Sequence, residues 1–354
     1  MPALATSLAW LGAGIGGLLM GRIAHRFGAR STVILGAIMV GVGLSISTLG
    51  PPGPLWIGHG VFVGLLGIGA INAPMYTYIS QWFDRRRGSA LALISSGTYL
   101  AGALWPPLFE RSISHIGWRH TMLLYGVVVI AIIVPIALIF LKPPPQLFSQ
   151  ASSSASPGAT SFRLRLPTNF SFGLICVAAV LCCMPMAMPQ QHMVALCSDL
   201  GIGRATGALI LSVLLGTAFI SRQVWGVASD RLGGLKTIFI SSGAQAAALA
   251  GFLFTQSEAG LFFVATAFGL GFSAIIPAYA LAVRDLFPVG EAHWRMPTVL
   301  LCTGVGMALG GWLAGYLYDF FGTYAPAFAT GVAANLLNFA VIGFLVSRQS
   351  RLDR

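Results

Sequence analysis

Apolar stretches of about 20 residues alternate with short polar turns along almost the whole chain. A helix that crosses a bilayer needs about 20 consecutive, mostly apolar residues. Proline and glycine fall at many of the ends of these stretches, as in Pro51-Pro52-Gly53-Pro54. The pattern predicts an all-α membrane protein with eleven spanning helices, at residues 4–21, 32–50, 55–79, 88–109, 120–141, 170–190, 205–228, 236–254, 259–284, 296–318 and 325–347.

One connection between the predicted helices is much longer than the others. Residues 142–169 contain three consecutive prolines and the run Ser152-Ser153-Ser154, a composition typical of flexible linkers. We therefore predict an N-terminal bundle of five spans over residues 1–141, a cytoplasmic linker at 142–169 and a C-terminal bundle of six spans over 170–354.

The charge of the chain points to a membrane rather than to nucleic acid. Hydrophobic residues make up 56% of the chain and charged residues only 8%, against about 25% in soluble domains. The net charge is +11, but sixteen Lys and Arg lie in one set of alternate loops and three in the other. By the positive-inside rule the richer set faces the cytoplasm. We expect a plasma-membrane protein, in the inner membrane of a bacterium, with a cytoplasmic C-terminus.

A short basic turn occurs twice, once in each half, and each copy stands between two apolar spans. A polar turn repeated at corresponding places of two membrane halves is typical of a duplicated transporter. Its characteristic residues are Gly21, Arg26, Gly28 and Arg30 in the first copy, and Gly226, Asp230, Arg231, Gly233 and Lys236 in the second.

This pattern, Gly-x-x-x-Asp-Arg-x-Gly-x-x-Lys/Arg, resembles the loop between the second and third helices of major facilitator superfamily transporters. Within that superfamily, three further segments resemble the group of monocarboxylate transporters and oxalate/formate antiporters. They are residues 81–97, 284–288 and 310–324. The resemblance implies two pseudo-symmetric bundles with twelve helices in all. Because the first basic turn follows the first span present, it also implies that the family's first helix is missing, which leaves eleven.

The resemblance implies secondary active transport by alternating access, as symport or antiport, of a small organic anion such as a monocarboxylate. The coupling partner would be a proton or a counter-anion, and we expect a monomer. Two alternatives are an exporter of drugs or other amphiphiles and a non-transporting fragment. The sequence has no nucleophile–base set, metal-ligand spacing or P-loop, so we expect no enzyme activity, no cofactor and no metal.

Arg222 is the main candidate for binding the substrate. It stands four residues before Gly226, which places it about 6 Å further along the helix. A guanidinium inside a bilayer costs several kcal/mol unless it is paired or hydrated. A substrate carboxylate would supply two parallel hydrogen bonds, and the resemblance implies an arginine at the substrate site in this helix. The alternative is an arginine that extends its head group to the interface. Ala218 stands where proton-coupled relatives have Asp, which leaves the coupling ion open.

Other polar residues in the predicted spans are weaker candidates. Helix–helix hydrogen bonding is the alternative explanation for each of them. The imidazoles of His59 and His192 can titrate near neutral pH, but the sequence shows no carboxylate paired with either. The further substrate-binding candidates are Asn72, Tyr76, Tyr99, Gln191 and Tyr279.

The repeated turns also suggest a gate. Asp230 can cap the helix that follows it, or pair with an arginine of the opposing bundle and so hold the cytoplasmic side shut. His25 occupies the corresponding position in the first copy and is not a fixed anion, so we expect that copy to be the weaker latch. The alternative is that these basic turns only fix the topology.

Overall fold

The structure is a computed structural model that describes residues 2–50, 52–82, 87–142, 162–164, 166–288 and 291–351. Helices account for nearly all of these residues. A π-helical segment, Gly58–Ile68, lies between α2 and α3. The α-helices are α1 (Pro2–Ser47), α2 (Gly53–Ile57), α3 (Gly69–Trp82), α4 (Arg87–Phe140), α5 (Thr168–Asp199), α6 (Arg204–Leu232), α7 (Gly234–Phe254), α8 (Glu258–Phe272), α9 (Ile275–Leu286), α10 (Ala292–Phe321) and α11 (Ala325–Ser347).

The eleven predicted spans lie in these helices, which confirms the all-α membrane class. In the described part of the chain, nine helical segments are long and apolar enough to cross a membrane. One of them, Ala92–Phe140, has 49 residues and contains most of two predicted spans, 88–109 and 120–141. The first predicted span corresponds to the shorter apolar segment Leu4–Met20.

Glycine corners divide the two longest helices and separate α6 from α7. Gly28 inside α1 has φ 83° and ψ 156°, Gly117 inside α4 has φ 78° and ψ 162°, and Gly233 has φ 80° and ψ 165°. Only glycine adopts this backbone region readily, because it has no Cβ. Gly28 and Gly233 are equivalent residues of the repeated turn, so its two copies share one backbone conformation.

The first of two compact units comprises Met1–Leu91 and Arg111–Ser156. In its interior α1 packs against the π-helical segment at very short range. A Cβ added to Gly64 would overlap the backbone of Ala9. Ser47 donates to the Gly43 carbonyl at 2.7 Å, and its hydroxyl lies 2.9 Å from Nδ1 of His59. Glycine therefore permits the close helix contacts on which this unit is built.

The second unit comprises Ala92–Glu110 and Pro157–Arg354. A cluster of buried aromatic rings, which includes Phe252, Phe268 and Phe328, fills the middle of its helices. The packing groups Ala92–Glu110 with this unit, whereas the domain boundaries at 141 and 170 stay a prediction.

A two-stranded antiparallel ribbon adds the only strands among the described residues. Its strands are β1 (Phe162–Leu164) and β2 (Gln349–Arg351), with Arg163 opposite Ser350. The ribbon ties the end of the predicted linker to the segment that follows α11. Most of that linker, residues 143–161 and 165, lies outside the described residues.

A buried arginine, surrounded by a carboxylate, an amide and three aromatic rings, lies near the start of α10 in the second unit. Arg295 is 1% exposed, and its guanidinium is 2.6 Å from the carboxylate of Glu291 and 3.1 Å from Oδ1 of Asn169. Its guanidinium carbon also lies 4.4–4.6 Å from three aromatic ring centroids, those of Phe172, Phe287 and Trp294. Cation–π contacts of this kind are favourable, and more so away from water.

The sixth predicted span ends too early. It was placed at residues 170–190, but α5 continues to Asp199. Pro185 and Pro189 lie inside this helix, and spanning helices tolerate proline where neighbouring helices satisfy the freed backbone groups. Gln191 and His192 are therefore within the helix rather than at its end.

Candidate functional site

The Arg222 side chain lies in the interior of the second unit. It is 4% exposed and projects from α6 toward α4 and toward the junction of α8 and α9. Its Nε donates to the carbonyl of Ser273 at 3.1 Å. Its Nη1 donates to the carbonyl and hydroxyl oxygens of Ser95 at 2.9 and 3.0 Å, and its Nη2 donates to the hydroxyl of Tyr99 at 3.2 Å. An arginine that reached for the interface would keep this head group in water.

Tyr99 forms a platform for the guanidinium. The guanidinium carbon lies 4.4 Å from the centroid of the Tyr99 ring, and the Phe272 ring meets the Tyr99 ring edge-on at 5.5 Å. The sequence had indicated both Arg222 and Tyr99 as candidates, and the structure brings them together.

No sequence pattern indicated that Ser95 and Ser273 contact Arg222. Ser273 follows Phe272, the last residue of α8, and precedes α9. The last carbonyls of a helix have no partner within the helix, which is why the Ser273 carbonyl can accept from an arginine.

The charge of Arg222 is not balanced by a carboxylate in the described part of the chain. The ion pair found there within 4.0 Å is Arg295 with Glu291. A guanidinium carries five N–H donors, and Arg222 makes four hydrogen bonds, all to neutral acceptors. The site is therefore a buried cation whose hydrogen-bond partners, among the described residues, are all neutral.

Two hydroxyl groups beside Arg222 can donate further hydrogen bonds. Tyr99 accepts from Arg222, so its own O–H is free to donate. The Ser273 hydroxyl is buried and has no hydrogen-bond partner within the described ranges. These donors belong to residues that contact Arg222, and a carboxylate has enough lone pairs to accept from several of them.

Comparison with known proteins places the chain in a family. The family model of the Major Facilitator Superfamily matches it twice, over residues 2–196 and over residues 174–353. The chain belongs to the major facilitator superfamily. The chain is similar to monocarboxylate transporter 13 of Bos taurus, with 25% identity over 325 residues that cover 90% of this chain and 74% of that protein.

Two solved structures of the superfamily share its fold. The fucose:proton symporter of Escherichia coli matches with a TM-score of 0.63 and 14% identity, over 96% of this chain and 90% of that one. The human organic anion transporter MFSD10 matches with a TM-score of 0.68 and 13% identity, over 96% and 83%. The predicted major facilitator fold with two pseudo-symmetric bundles is thus confirmed.

Tyr279 of this major facilitator chain lies in a hydrogen-bonded network between helices. The tyrosine is fully buried, and its hydroxyl donates to Oδ1 of Asn338 at 3.1 Å. Asn338 in turn donates to the hydroxyl of Ser242 at 2.8 Å. This arrangement agrees with the alternative explanation for Tyr279, which is hydrogen bonding between helices rather than substrate binding.

The other candidates are described within their own units. Gln191 is half-buried on α5 and packs over Gly311, where an added Cβ would overlap its amide. Asn72 is exposed on α3 of the first unit. Tyr76 also lies on α3, but its side chain is outside the described residues.

The second copy of the repeated turn is held by a residue that the sequence interpretation missed. The Gly234 N–H, at the start of α7, donates to Oδ2 of Asp285 at 3.0 Å, and Asp285 is buried. A Cβ on Gly234 would overlap the backbone of Ala282. Asp285, rather than Asp230, therefore stabilises this helix start.

The remaining residues of the two turns differ in exposure. Gly226 is half-buried, and Gly233 is buried at the corner. Gly21 lies within α1, and the His25 side chain is outside the described residues. The charged residues whose side chains are described are all exposed: Arg26 and Arg30 in the first copy, and Asp230, Arg231 and Lys236 in the second.

Proposed function

We propose that this protein is a secondary active transporter of a small organic anion such as a monocarboxylate, and that Arg222 holds the substrate carboxylate. The observation that carries the proposal is a buried guanidinium whose partners within the described residues are all neutral. The similarity to a monocarboxylate transporter supports the same substrate class.

The contacts that Arg222 already makes fix its orientation before the substrate arrives. Hydrogen bonds to Ser95 and Ser273 hold two sides of the guanidinium, and the Tyr99 ring holds its face. A preorganised donor loses little side-chain entropy on binding, because its rotamer is already set. One carboxylate oxygen would accept from Nη2 of Arg222 and the other from a neighbouring hydroxyl, so that a single negative charge balances the site.

A single fixed cation favours a monoanion. Beside Arg222, the contacts found in the described part of the chain include no second Lys or Arg. A dicarboxylate would leave one charge unpaired away from water, which is costly. Alternating access of the two bundles would then carry the bound monocarboxylate across the membrane.

Uptake by proteoliposomes tests the proposal. We expect saturable uptake of radiolabelled propionate, which excess acetate or butyrate inhibits and excess propionamide does not. The amide has the size and shape of the acid but no charge, so it is the matched control for the carboxylate. Equal inhibition by the amide, or no uptake of any short monocarboxylate, would contradict the proposed substrate class.

We further propose that the repeated basic turns face the cytoplasm of a plasma-membrane protein and that Asp230 is the fixed anion of the gate. Asp230→Asn is expected to change the balance of transport states more than His25→Asn, because only Asp230 carries a permanent negative charge. The rate of maleimide labelling of Ala228→Cys, near the end of α6, reports this balance.

A matched control for the gate is Glu258→Gln, which removes an exposed carboxylate at the start of α8. This control should leave the labelling rate of Ala228→Cys unchanged. Equal effects of Asp230→Asn and His25→Asn would show that the two copies are not functionally different.

A further inference from the structure

Both ring nitrogens of His192 are hydrogen-bonded in the second unit. The residue is buried on α5, near the end of the helix that carries Asp199. Its Nε2 lies 3.0 Å from the carbonyl oxygen of Gly311 on α10, and its Nδ1 lies 3.2 Å from the hydroxyl oxygen of Tyr324. The ring therefore links α5, α10 and the turn before α11.

The partners determine which nitrogen carries the proton. A backbone carbonyl only accepts, so Nε2 of His192 must donate to Gly311. Burial, reinforced by the negative charge of Asp199, raises the pKa of Tyr324, which keeps its phenolic proton. The Tyr324 hydroxyl can then donate to Nδ1. The neutral imidazole is fully satisfied, and Nδ1 is the atom at which a further proton would add.

Acidic groups lie around this end of the bundle. Asp199, at the end of α5, and Asp319, near the end of α10, are both exposed. The Tyr318 hydroxyl lies beside Asp199, and the Tyr318 ring stacks on the Tyr324 ring with centroids 4.4 Å apart. Titratable groups thus extend from the protein surface to the buried imidazole.

The other helices add few charges near His192. The half of α11 next to Tyr324 and the matching half of α7 contain no ionisable residue. The remaining groups at this end are Cys197 on α5, Arg204 at the start of α6 and Glu258 at the start of α8. Acidic residues therefore outnumber basic ones at this end of the second unit.

We propose that His192 is a proton-binding site of this transporter and takes up the proton that is coupled to substrate movement. The proton reaches Nδ1 from water by way of the carboxylates of Asp199 or Asp319. The imidazolium then donates from both nitrogens, and the Tyr324 hydroxyl turns so that its oxygen accepts. The charge change occurs where α5, α10 and the turn before α11 meet, so it can bias their packing. The inference depends on the proposed transport function.

Two transport modes measured in proteoliposomes test the site. Accumulation driven by a pH gradient needs net proton movement, whereas substrate-for-substrate exchange at equal pH does not. His192→Gln is expected to lower gradient-driven accumulation of propionate at least tenfold and to leave exchange within about twofold. His59→Gln is the matched control, because His59 is also a hydrogen-bonded histidine in an apolar helix. Gradient-driven accumulation that survives in His192→Gln would overturn the site.

Tyr324→Phe separates proton binding from a purely structural function of the histidine. Without the hydroxyl both forms of the imidazole lose a hydrogen bond, and the imidazolium loses the stronger one, so protonation becomes harder and the pH midpoint of uptake should move to lower pH. If His192 only connected the helices through hydrogen bonds, the pH midpoint of uptake would be the same in Tyr324→Phe as in the wild type.

A measurement without substrate keeps the site testable if the proposed substrate class is wrong. The ring ¹⁵N signals of His192, assigned by their loss in His192→Gln, should titrate between about pH 5 and pH 8 in the full chain. If wild-type protein exchanges no monocarboxylate but these signals titrate, the transport proposal fails and the proton site stands. Signals that do not change across this range would refute the proton site.

Discussion

Arg222→Lys is expected to lower monocarboxylate uptake about 10- to 100-fold while insertion into the membrane stays normal. Lysine keeps the positive charge but has a single nitrogen, so it cannot contact Ser95, Ser273 and Tyr99 together and still donate to the carboxylate as Nη2 of Arg222 would. Losing one hydrogen bond to a charged group costs about 1.5–3 kcal/mol, and 1.4 kcal/mol corresponds to tenfold.

Arg222→Ala should abolish uptake without lowering expression, because removal of a charge from inside a membrane eases insertion. Arg204→Lys is the matched control, since Arg204 is an exposed arginine at the start of the same helix. Initial rates of propionate uptake in proteoliposomes, normalised to inserted protein, provide the measurement. If Arg222→Lys transports at the wild-type rate, Arg222 does not hold the carboxylate through the remaining N–H of Nη2.

The second large effect is expected at Arg295. Arg295→Ala should reduce the free energy of unfolding by about 3 kcal/mol, because it removes a buried guanidinium together with its partly exposed ion pair and several cation–π contacts. It would also leave a space among the rings of Phe172, Phe287 and Trp294. Unfolding of the purified protein in detergent, followed by denaturant titration, measures the loss.

Two variants separate the contributions that the contacts of Arg295 make to stability. Glu291→Gln should cost less than Arg295→Ala, because the Glu291 side chain is 42% exposed and its carboxylate is partly screened by water. Arg284→Ala removes an exposed arginine at the end of α9 and should change stability by less than 0.5 kcal/mol. If Arg295→Ala lowers the free energy of unfolding no more than Arg284→Ala does, the contacts of Arg295 add nothing to stability.

Long regular patterns could be predicted from the sequence. The eleven spans follow from runs of apolar residues long enough to cross a bilayer, and they are found as helices. The repeated turn follows from a glycine and charge pattern, and Gly28 and Gly233 share its backbone conformation. The end of α5 was missed because Pro185 and Pro189 indicate a helix end in water, whereas a spanning helix tolerates them.

The partners of the site residues could not be predicted in the same way. Arg222 and Tyr99 are each unusual inside an apolar span, so each could be found alone, but they are 123 positions apart in the sequence. Ser95 and Ser273 contribute backbone carbonyls, which every residue has, and no composition distinguishes them. Asp285 was passed over because its function as a cap depends on Gly234, 51 positions away.

The glycine corners have a mechanical consequence. At Gly28, Gly117 and Gly233 one helix follows another with a single residue between them in a non-helical conformation. A connection of one residue is too short to absorb a tilt of the first helix, so the second helix tilts with it. Each pair of helices then moves as one unit, and bending during the transport cycle occurs at the longer connections elsewhere in the chain.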